Sequence, residues 1–377
     1  MKGFYKNNCG LTLVELLISL AIGAGILSAG IVVFLDQVQS SRRLTAYSHM
    51  QESGRVALDI IERDIRMGGF TGCFSTNTVL NNFMSDSYPA SFQPDSGIQG
   101  WEADSSAPGA EIDNVLTTTQ LVDVDDGGWS SSAGSVIDSM DIVPNSDIIR
   151  VWGGGDVDFS VGAITLGAAP TLSIPLTSNI IDDAILILSD CENADIVQAC
   201  EVVEQGGQKV LRLNANCSPG NDTSKVLKTD IAQNPTVTLL NATTYVVSKQ
   251  NGVLVNPPSL FRIQLDTAGA VLGEMQEVVQ GVESMQILYG ENSDGDSRHS
   301  VDAYVTANNV QDWKNVISVR VSLLLQSVDN NLVDGASPYV FNGVNYNGQS
   351  GNPSAADRRV RRVFSRTITL RNRTLGS

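Results

Sequence analysis

The chain has 377 residues, of which 42% are hydrophobic, and this is enough to bury a substantial core. Its formal net charge of −17 disfavours nucleic acid as a partner, because an acidic surface repels a polyanion. With only two histidines in the sequence, there is little room for imidazole chemistry.

The first predicted element is an apolar helix over residues 11–34, LTLVELLISLAIGAGILSAGIVVF, whose only charged side chain is Glu15. A helix of this length can cross a bilayer. Lys2 and Lys6 precede the stretch, so we expect a cytoplasmic N-terminus and an exported C-terminal body.

Glu15 is an unusual residue for such a helix. On membrane-insertion scales a carboxylate inside an apolar span costs roughly 2.5 to 3.5 kcal/mol, so a partner or a function is expected. The nearest positive groups are Lys6 and, if the chain is cut after Gly10, the new amine of Leu11. A carboxylate that meets its own or a neighbour's amine gives helices a reason to associate side by side.

The basic peptide ending in Gly10, followed by Leu11-Thr12-Leu13-Val14-Glu15-Leu16, resembles the leader of type IV prepilins. The resemblance implies cleavage by a prepilin peptidase between Gly10 and Leu11, N-methylation of Leu11, and a role for Glu15 in guiding the subunit into a filament. Leu11 stands where phenylalanine is more usual, and the helix lacks the proline that kinks many major pilins, so a straighter helix is expected. An uncleaved signal anchor is the alternative interpretation.

Residues 35–69 continue the helix as an amphipathic half. Apolar or small residues recur there at spacings of three and four, and the predicted buried stripe is Leu44, Tyr47, Met50, Gly54, Leu58, Ile61 and Ile65. The pattern predicts one helix over residues 11–67, about 85 Å long. Gly68 and Gly69 are expected to end it.

The end of this helix, Arg63-Asp64-Ile65-Arg66-Met67-Gly68-Gly69-Phe70 followed by Gly72-Cys73, resembles the PilW group of minor pilins. Three later segments, 189–192, 315–324 and 361–373, strengthen the likeness. It implies a minor pilin that primes or promotes type IV pilus assembly, within a minor-pilin complex at the filament tip.

The partners implied by this resemblance are other minor pilins, the major pilin, the prepilin peptidase, a tip adhesin and inner-membrane lipid. The implied location is the bacterial inner membrane, with the body in the periplasm, and then the filament. A minor pseudopilin of a type II secretion system is the alternative within the same class, and a signal-anchored periplasmic enzyme is a distant one.

Residues 70–377 are predicted to form the periplasmic β-rich domain. Its first part, 75–135, is rich in Ser, Asn, Asp, Gly and Pro and predicts long loops with one or two short strands. Strands are predicted at 147–152, 171–176, 184–188, 195–203, 210–213, 236–240, 243–248, 259–266, 281–289, 316–327 and 360–371, with a hairpin turn at Gly206-Gly207. The expected fold is therefore α+β and pilin-like, with residues 1–10 as a leader and the long helix packed on an antiparallel sheet.

The five cysteines predict disulfides. Cys9 lies in the leader, so cleavage leaves Cys73, Cys191, Cys200 and Cys217, an even number in an exported body. Three pairings are possible, and we favour Cys73 with Cys191 and Cys200 with Cys217. A zinc site is disfavoured because no Cys-x-x-Cys pair or nearby histidine completes it.

An acidic segment after Tyr289-Gly290 offers the one candidate metal site. Asn292, Asp294 and Asp296 alternate as in calcium loops, and Asp302 is a possible closing ligand. The alternative is a turn stabilised by Asp and Asn side chains. We expect no other cofactor.

No catalytic motif stands out, so the chain is predicted not to be an enzyme. His49 and His299 are expected at the surface. Gly153-Gly154-Gly155 follows a strand without the helix that would present amide groups to a phosphate.

Overall fold

The computed structural model describes most of the chain. The described residues are 12–72, 79–85, 92–112, 122–123, 127–132, 141–167, 170–190, 192–230, 234–249, 257–265, 272–294, 300–335, 337–347 and 358–374.

The chain opens with one long helix, α1 (Leu13–Met67), as the apolar and amphipathic patterns predict. Thr12 is its N-cap, and its side chain accepts a hydrogen bond from the Glu15 N–H. Gly68 ends the helix, and Gly69 adopts a positive φ of 73°, which a residue without Cβ reaches at no steric cost.

The domain that follows is built from strands, with a short helix α2 (Arg371–Thr374) at its end. In chain order the strands are β1 (Val79–Asn82), β2 (Ile98–Ala103), β3 (Val122–Asp123), β4 (Trp129–Ser130), β5 (Asp141–Ile142), β6 (Ile148–Ser160), β7 (Ala163–Thr165), β8 (Thr171–Pro175), β9 (Ala184–Ser189), β10 (Asn193–Ala199), β11 (Glu201–Gln205), β12 (Gln208–Arg212), β13 (Thr236–Ser248), β14 (Ser259–Leu265), β15 (Leu272–Gln280), β16 (Val282–Glu291), β17 (Ala303–Val305), β18 (Val316–Gln326), β19 (Tyr339–Phe341), β20 (Val344–Tyr346) and β21 (Arg361–Thr369). Among the described residues, short 3-10 turns lie at Pro94–Ser96, Ala307–Asn309 and Trp313–Asn315.

The largest sheet has the strand order β1-β10-β9-β13-β6-β2-β4, and β14 and β15 extend it from β13. Within the described part of the chain its pairs are antiparallel except for β1 and β10, which run parallel. A second sheet, β17-β16-β18-β21, contains the C-terminal strand, and a third has the order β11-β12-β8-β7. Two ribbons, β19-β20 and β3-β5, complete the topology.

The main hydrophobic core lies where α1 meets the first two sheets. Ala57, Leu58, Ile61 and Ile65 of α1 are at most 4% exposed and pack against residues of both sheets. Burying a side chain of this size contributes about 1.5 to 3 kcal/mol, so the second half of α1 is firmly held. A second core fills the space between β8 and β12 on one side and β9, β10 and β13 on the other.

The predicted fold class, a long helix on a mainly antiparallel β domain, is confirmed. The buried stripe is shorter than predicted, because Leu44 and Tyr47 are 68% and 38% exposed. Full burial begins at Met50. The domain reaches the turns before it, because Arg42 lies 3.6 Å from Asp329 and Arg43 donates to the Leu332 carbonyl, but Leu44 and Tyr47 face away from these contacts.

Several predicted strand boundaries were wrong. The run 195–203 is two strands that separate at Cys200, and the runs 236–240 and 243–248 form one strand, β13, with an irregularity between Thr238 and Leu240. β15 was not predicted, and β2 lies within 75–135, where one or two short strands were expected but not placed. All six residues of β2 are buried, so it lacks the alternation that marks a half-exposed strand.

Candidate functional site

The first half of α1 is an exposed apolar surface. Its large apolar side chains between positions 13 and 35 are each more than half exposed: Leu13, Val14, Leu16, Leu17, Ile18, Leu20, Ile22, Ile26, Leu27, Ile31, Val32, Val33, Phe34 and Leu35. The most apolar part of this helix has no buried residue. By length and composition the helix can cross a membrane, and an exposed apolar surface of this size marks a lipid or protein contact.

Glu15 lies in the first turn of this surface. Its backbone is fixed at both ends, because its N–H donates to Thr12 Oγ1 at 3.3 Å and its carbonyl accepts from Ser19 Oγ at 2.6 Å. Its carboxylate meets no cation or donor among the residues that the structure describes. Gly10, Leu11 and Lys6 lie outside those residues, so their predicted roles in cleavage, methylation and charge pairing stay predictions.

The second half of α1 is fixed to the C-terminal strand by ionic contacts. Arg366 of β21 donates to Asp59 at 2.6 Å and also to Glu62. The Arg366 guanidinium lowers the pKa of the Asp59 carboxyl, and the same hydrogen bond raises the pKa of Arg366. The two acids lie one turn apart on α1, so a single arginine fixes the rotation of the helix on the sheet.

The PilW-like segment at the end of α1 has a structural explanation. Ile65 enters the core, and Asp64 accepts a hydrogen bond from the hydroxyl of Tyr245 at 2.5 Å. Tyr245 lies in β13 and is fully buried, and burial raises the pKa of its hydroxyl, with the Asp64 charge adding to the shift. The contact therefore joins the last turn of α1 to the centre of the large sheet through a neutral phenol.

The three glycines at 153–155 lie in β6. They let the segment that follows α1 pass close to this strand. A β-carbon at Gly153 would lie 3.0 Å from the carbonyl oxygen of Met67, and Gly154 N–H donates to the Phe70 carbonyl at 2.7 Å. This close approach of two backbones accounts for glycine in the middle of a strand.

Cys200 and Cys217 form a disulfide, as predicted, and the bridge encloses the β11–β12 hairpin with its Gly206-Gly207 turn. The other favoured pair, Cys73 with Cys191, lies outside the described residues and stays a prediction.

The acidic segment is closed by its last carboxylate. Asp302 Oδ2 accepts from the backbone N–H of Ser293 at 2.8 Å and of Asp294 at 3.2 Å, and these bonds lower the pKa of Asp302. This is the geometry of a turn held by a side chain. Asp296 lies outside the described residues, and among those described no three acidic, histidine or cysteine side chains are grouped to hold a metal. Calcium at Asn292, Asp294, Asp296 and Asp302 stays a prediction.

Sequence reasoning missed a buried acidic pair, Glu102 and Asp147. Asp147 accepts from Ala103 N–H at 3.0 Å and from Ile287 N–H at 2.7 Å, and so joins β2 to β16. Burial, with the neighbouring Glu102 carboxyl, raises the pKa of Asp147, and burial raises the pKa of Glu102 to about 7. No local pattern distinguishes these two acids, because acidic side chains are abundant throughout the chain.

Two family models match the chain. Residues 244–372 match the family "Type IV Pilus-assembly protein W", and residues 5–31 match the prokaryotic N-terminal methylation motif. The chain is therefore similar to PilW proteins over its C-terminal third and to N-terminally methylated proteins at its start. The PilW resemblance drawn from the sequence is thereby confirmed, and the motif together with the exposed helix fits a membrane-anchored pilus protein.

The PilW region covers the residues that hold α1, since it includes Tyr245, Phe364 and Arg366. No curated protein matches the chain significantly. Among solved structures, a type IV-like pilin from Thermus thermophilus is similar over 52% of this chain and 86% of its own, with 14% identity and a TM-score of 0.21.

Proposed function

We propose that the chain is a minor pilin that primes type IV pilus assembly within a minor-pilin complex at the filament tip. The observation that supports this most directly is the division of α1 into an exposed apolar half and a half anchored in the β domain. The apolar half holds the precursor in the inner membrane and then packs with other pilin helices in the filament core. The β domain selects the neighbouring subunits, and the protein acts by packing and performs no catalysis.

Processing at the N-terminus is the first part of this proposal. Cleavage between Gly10 and Leu11 frees an amine four residues from Glu15, where the two charges offset each other in an apolar surrounding. N-terminal sequencing and mass analysis of the protein extracted from membranes should find a methylated Leu11. An intact Met1 would contradict the prepilin assignment.

The second part of the proposal is the role of Glu15 in assembly, and pilus formation tests it. Glu15→Ala should abolish pilus formation without changing the amount of protein in the membrane, because it removes the partner of the neighbouring amine and keeps the apolar span. Asp36→Ala is the matched control, since Asp36 is an exposed acid on the same helix just beyond that span. Normal piliation by the Glu15→Ala strain would refute the role of Glu15.

Loss of pili in a strain that lacks the chain supports the pilus assignment. Intact pili with a loss of protein secretion would assign it to a type II secretion system instead.

A further inference from the structure

Glu102 and Asp147 face each other where β2 and β6 begin to pair. Trp101 of β2 pairs with Ile148 of β6, so the next residue of β2 lies opposite the residue before β6. Glu102 is 4% exposed and Asp147 is 2% exposed. The hydroxyl oxygen of Ser106 lies between them, 3.4 Å from Glu102 Oε1 and 3.4 Å from Asp147 Oδ1. Two buried carboxyl groups that share one hydroxyl carry a large cost when both are charged.

The two acids have no cation against them among the residues that the structure describes. On β16 the ionisable group that faces both acids is Tyr289, whose buried hydroxyl is neutral and makes no hydrogen bond with a described residue. Arg150 of β6 lies over the ring of Trp101, 5.3 Å from its centre. Adjacent side chains alternate along a strand, so this guanidinium lies on the opposite side of β2 from Glu102.

The other elements that pack around the pair add no compensating charge. Arg320 of β18 lies over the ring of Tyr304, 4.2 Å from its centre. The turn Ala307–Asn309, which packs against β2, has no ionisable side chain. Asp104 and Glu111, the acids of the loop that follows β2, are exposed. The pair is therefore stable in the interior only while it keeps at least one proton.

Asp147 joins the two sheets at this point. Its Oδ1 accepts from the N–H of Ala103 on β2 at 3.0 Å, and its Oδ2 accepts from the N–H of Ile287 on β16 at 2.7 Å. The hydroxyl of Ser106 donates to the Ala103 carbonyl at 2.7 Å and folds the start of the loop 104–112 back onto β2. Because this loop starts directly at the pair, its outward movement lets water reach both carboxyl groups.

The loop 104–112 is tied in turn to the β19–β20 hairpin. The side-chain amide of Asn342 donates to the carbonyls of Ser106 and Ala107 at 2.9 Å each, and its backbone carbonyl accepts from Gly109 N–H at 2.8 Å. Together the loop and the hairpin cover a cleft of about 340 Å³ over the second sheet. Most residues of the loop are exposed, so it can open locally while the hydrophobic core stays intact.

We propose that Glu102 and Asp147 form a pH-sensitive latch. While the pair keeps a proton, it holds the loop 104–112 and, through Asn342, the β19–β20 hairpin on the second sheet. When both acids lose their protons, the loop moves outward, the charges reach water, and the cleft beneath the hairpin opens. The latch does not rest on the proposed pilus function, because it involves neither Glu15 nor the apolar half of α1.

The latch opens as pH rises. Burial raises the pKa of Glu102 from 4.5 to about 7 and also raises the pKa of Asp147, whereas in the open state water reaches both carboxyl groups. Between these values the closed state binds a proton that the open state has released, so each step up in pH favours opening. Above about pH 7 the closed state loses the Glu102 proton as well, and the effect levels off.

Hydrogen exchange of the full chain in detergent micelles, measured at single residues, tests the latch. Protection factors, which are corrected for the intrinsic pH dependence of exchange, should fall roughly thirtyfold between pH 5 and pH 7 at the amides of Ala103 and Gly109. The amides of β13 should stay more strongly protected at every pH, since the opening is local. Protection of the loop that does not change with pH, or that equals the protection of β13, overturns the proposal.

Glu102→Gln should reduce the thirtyfold change to roughly fivefold or less, because a neutral amide keeps the shape of the carboxyl group and does not ionise. Glu111→Gln replaces an exposed acid of the same loop, so it is the matched control and should leave the change intact. A pH dependence that is the same in Glu102→Gln as in the original chain overturns the proposal.

A second variant keeps the test decisive if Glu102→Gln fails to fold. Asn342→Gly combined with Tyr346→Phe removes the side-chain ties between hairpin and loop, since the Tyr346 hydroxyl accepts from Ile112 N–H at 2.7 Å. Asn342 has a positive φ of 51°, which glycine adopts without strain. In this variant the loop should keep its pH dependence, and the hairpin should follow pH less than the loop does. A hairpin that changes as much as the loop, or a loop that no longer responds to pH, overturns the latch.

Discussion

Gly54 of α1 lies directly against the ring of Phe364 on β21, where a β-carbon at position 54 would come within 2.7 Å of three ring atoms. This contact lets the helix approach the C-terminal strand of the second sheet. It also explains a glycine inside a helix, where glycine costs about 1 kcal/mol relative to alanine.

Gly54→Ala should lower the free energy of unfolding by about 1 kcal/mol, because overpacking costs about 1 to 3 kcal/mol and the gain in helix propensity offsets only part of it. In a Phe364→Leu background the clash is relieved, and the same substitution should be neutral or stabilising. Chemical denaturation followed by tryptophan fluorescence measures both. Ser48→Ala, on the exposed side of α1, is the control and should change stability by less than about 0.5 kcal/mol. An equal cost of Gly54→Ala in both backgrounds would argue against the contact.

Arg361 and Glu283 form a buried bidentate ion pair, with contacts of 2.6 and 3.2 Å and side chains 0% and 2% exposed. Arg361→Met alone should cost about 3 to 5 kcal/mol, because it leaves a buried carboxylate without its partner. Adding Glu283→Leu should recover a large part of that loss. The exposed pair of Arg212 and Glu201, at 3.0 Å, is the matched control, and its disruption should cost less than about 1 kcal/mol. If the double variant at 361 and 283 is as unstable as the single one, the desolvation argument is wrong.

Stability should fall as pH rises from about 4.5 to about 7. The folded-state pKa of Glu102 is raised from 4.5 to about 7, and that of Asp147 is also raised, so the folded protein binds protons that the unfolded chain has released. The contribution is fully present below the unfolded pKa and is lost as pH passes through the folded pKa. For Glu102 it is on the order of 3 kcal/mol.

Unfolding free energies measured across this pH range check the prediction. Glu102→Gln should flatten the decline, and Glu204→Gln should not. A stability that rises between pH 5 and pH 7 by an amount that depends on Glu102 would contradict it.

Removing the Cys200–Cys217 bridge should lower the free energy of local opening of the β11–β12 hairpin by about 2 to 4 kcal/mol. The effect should be local, with faster amide exchange in the β11–β12 hairpin and unchanged exchange in the buried turns of α1, since this hairpin packs in the second core. The double Cys200→Ser and Cys217→Ser variant tests this by hydrogen exchange with mass spectrometry. Faster exchange around Ile61 would show that the bridge supports the whole domain.

Local sequence patterns were enough to predict α1 and most of the longer strands. An uninterrupted apolar run and a repeat of three and four residues are local signals, and they predicted a helix that ends at Met67. Likewise, the Gly206-Gly207 turn between two alternating runs predicted the β11–β12 hairpin. The prepilin leader is also a local signal, and it supplied the resemblance that the family models confirm.

The part of α1 that the domain covers, and the distant side chains that meet, could be seen only in the folded chain. Leu44 and Tyr47 continue the apolar repeat, but both side chains are exposed, although the domain contacts Arg42 and Arg43 on the same turns. Glu102 and Asp147 are 45 positions apart and become a buried pair because β2 and β6 lie side by side. The periodicity of a sequence predicts which face of a helix or strand is apolar. It does not predict which other element packs on that face, because this depends on the packing of the whole domain.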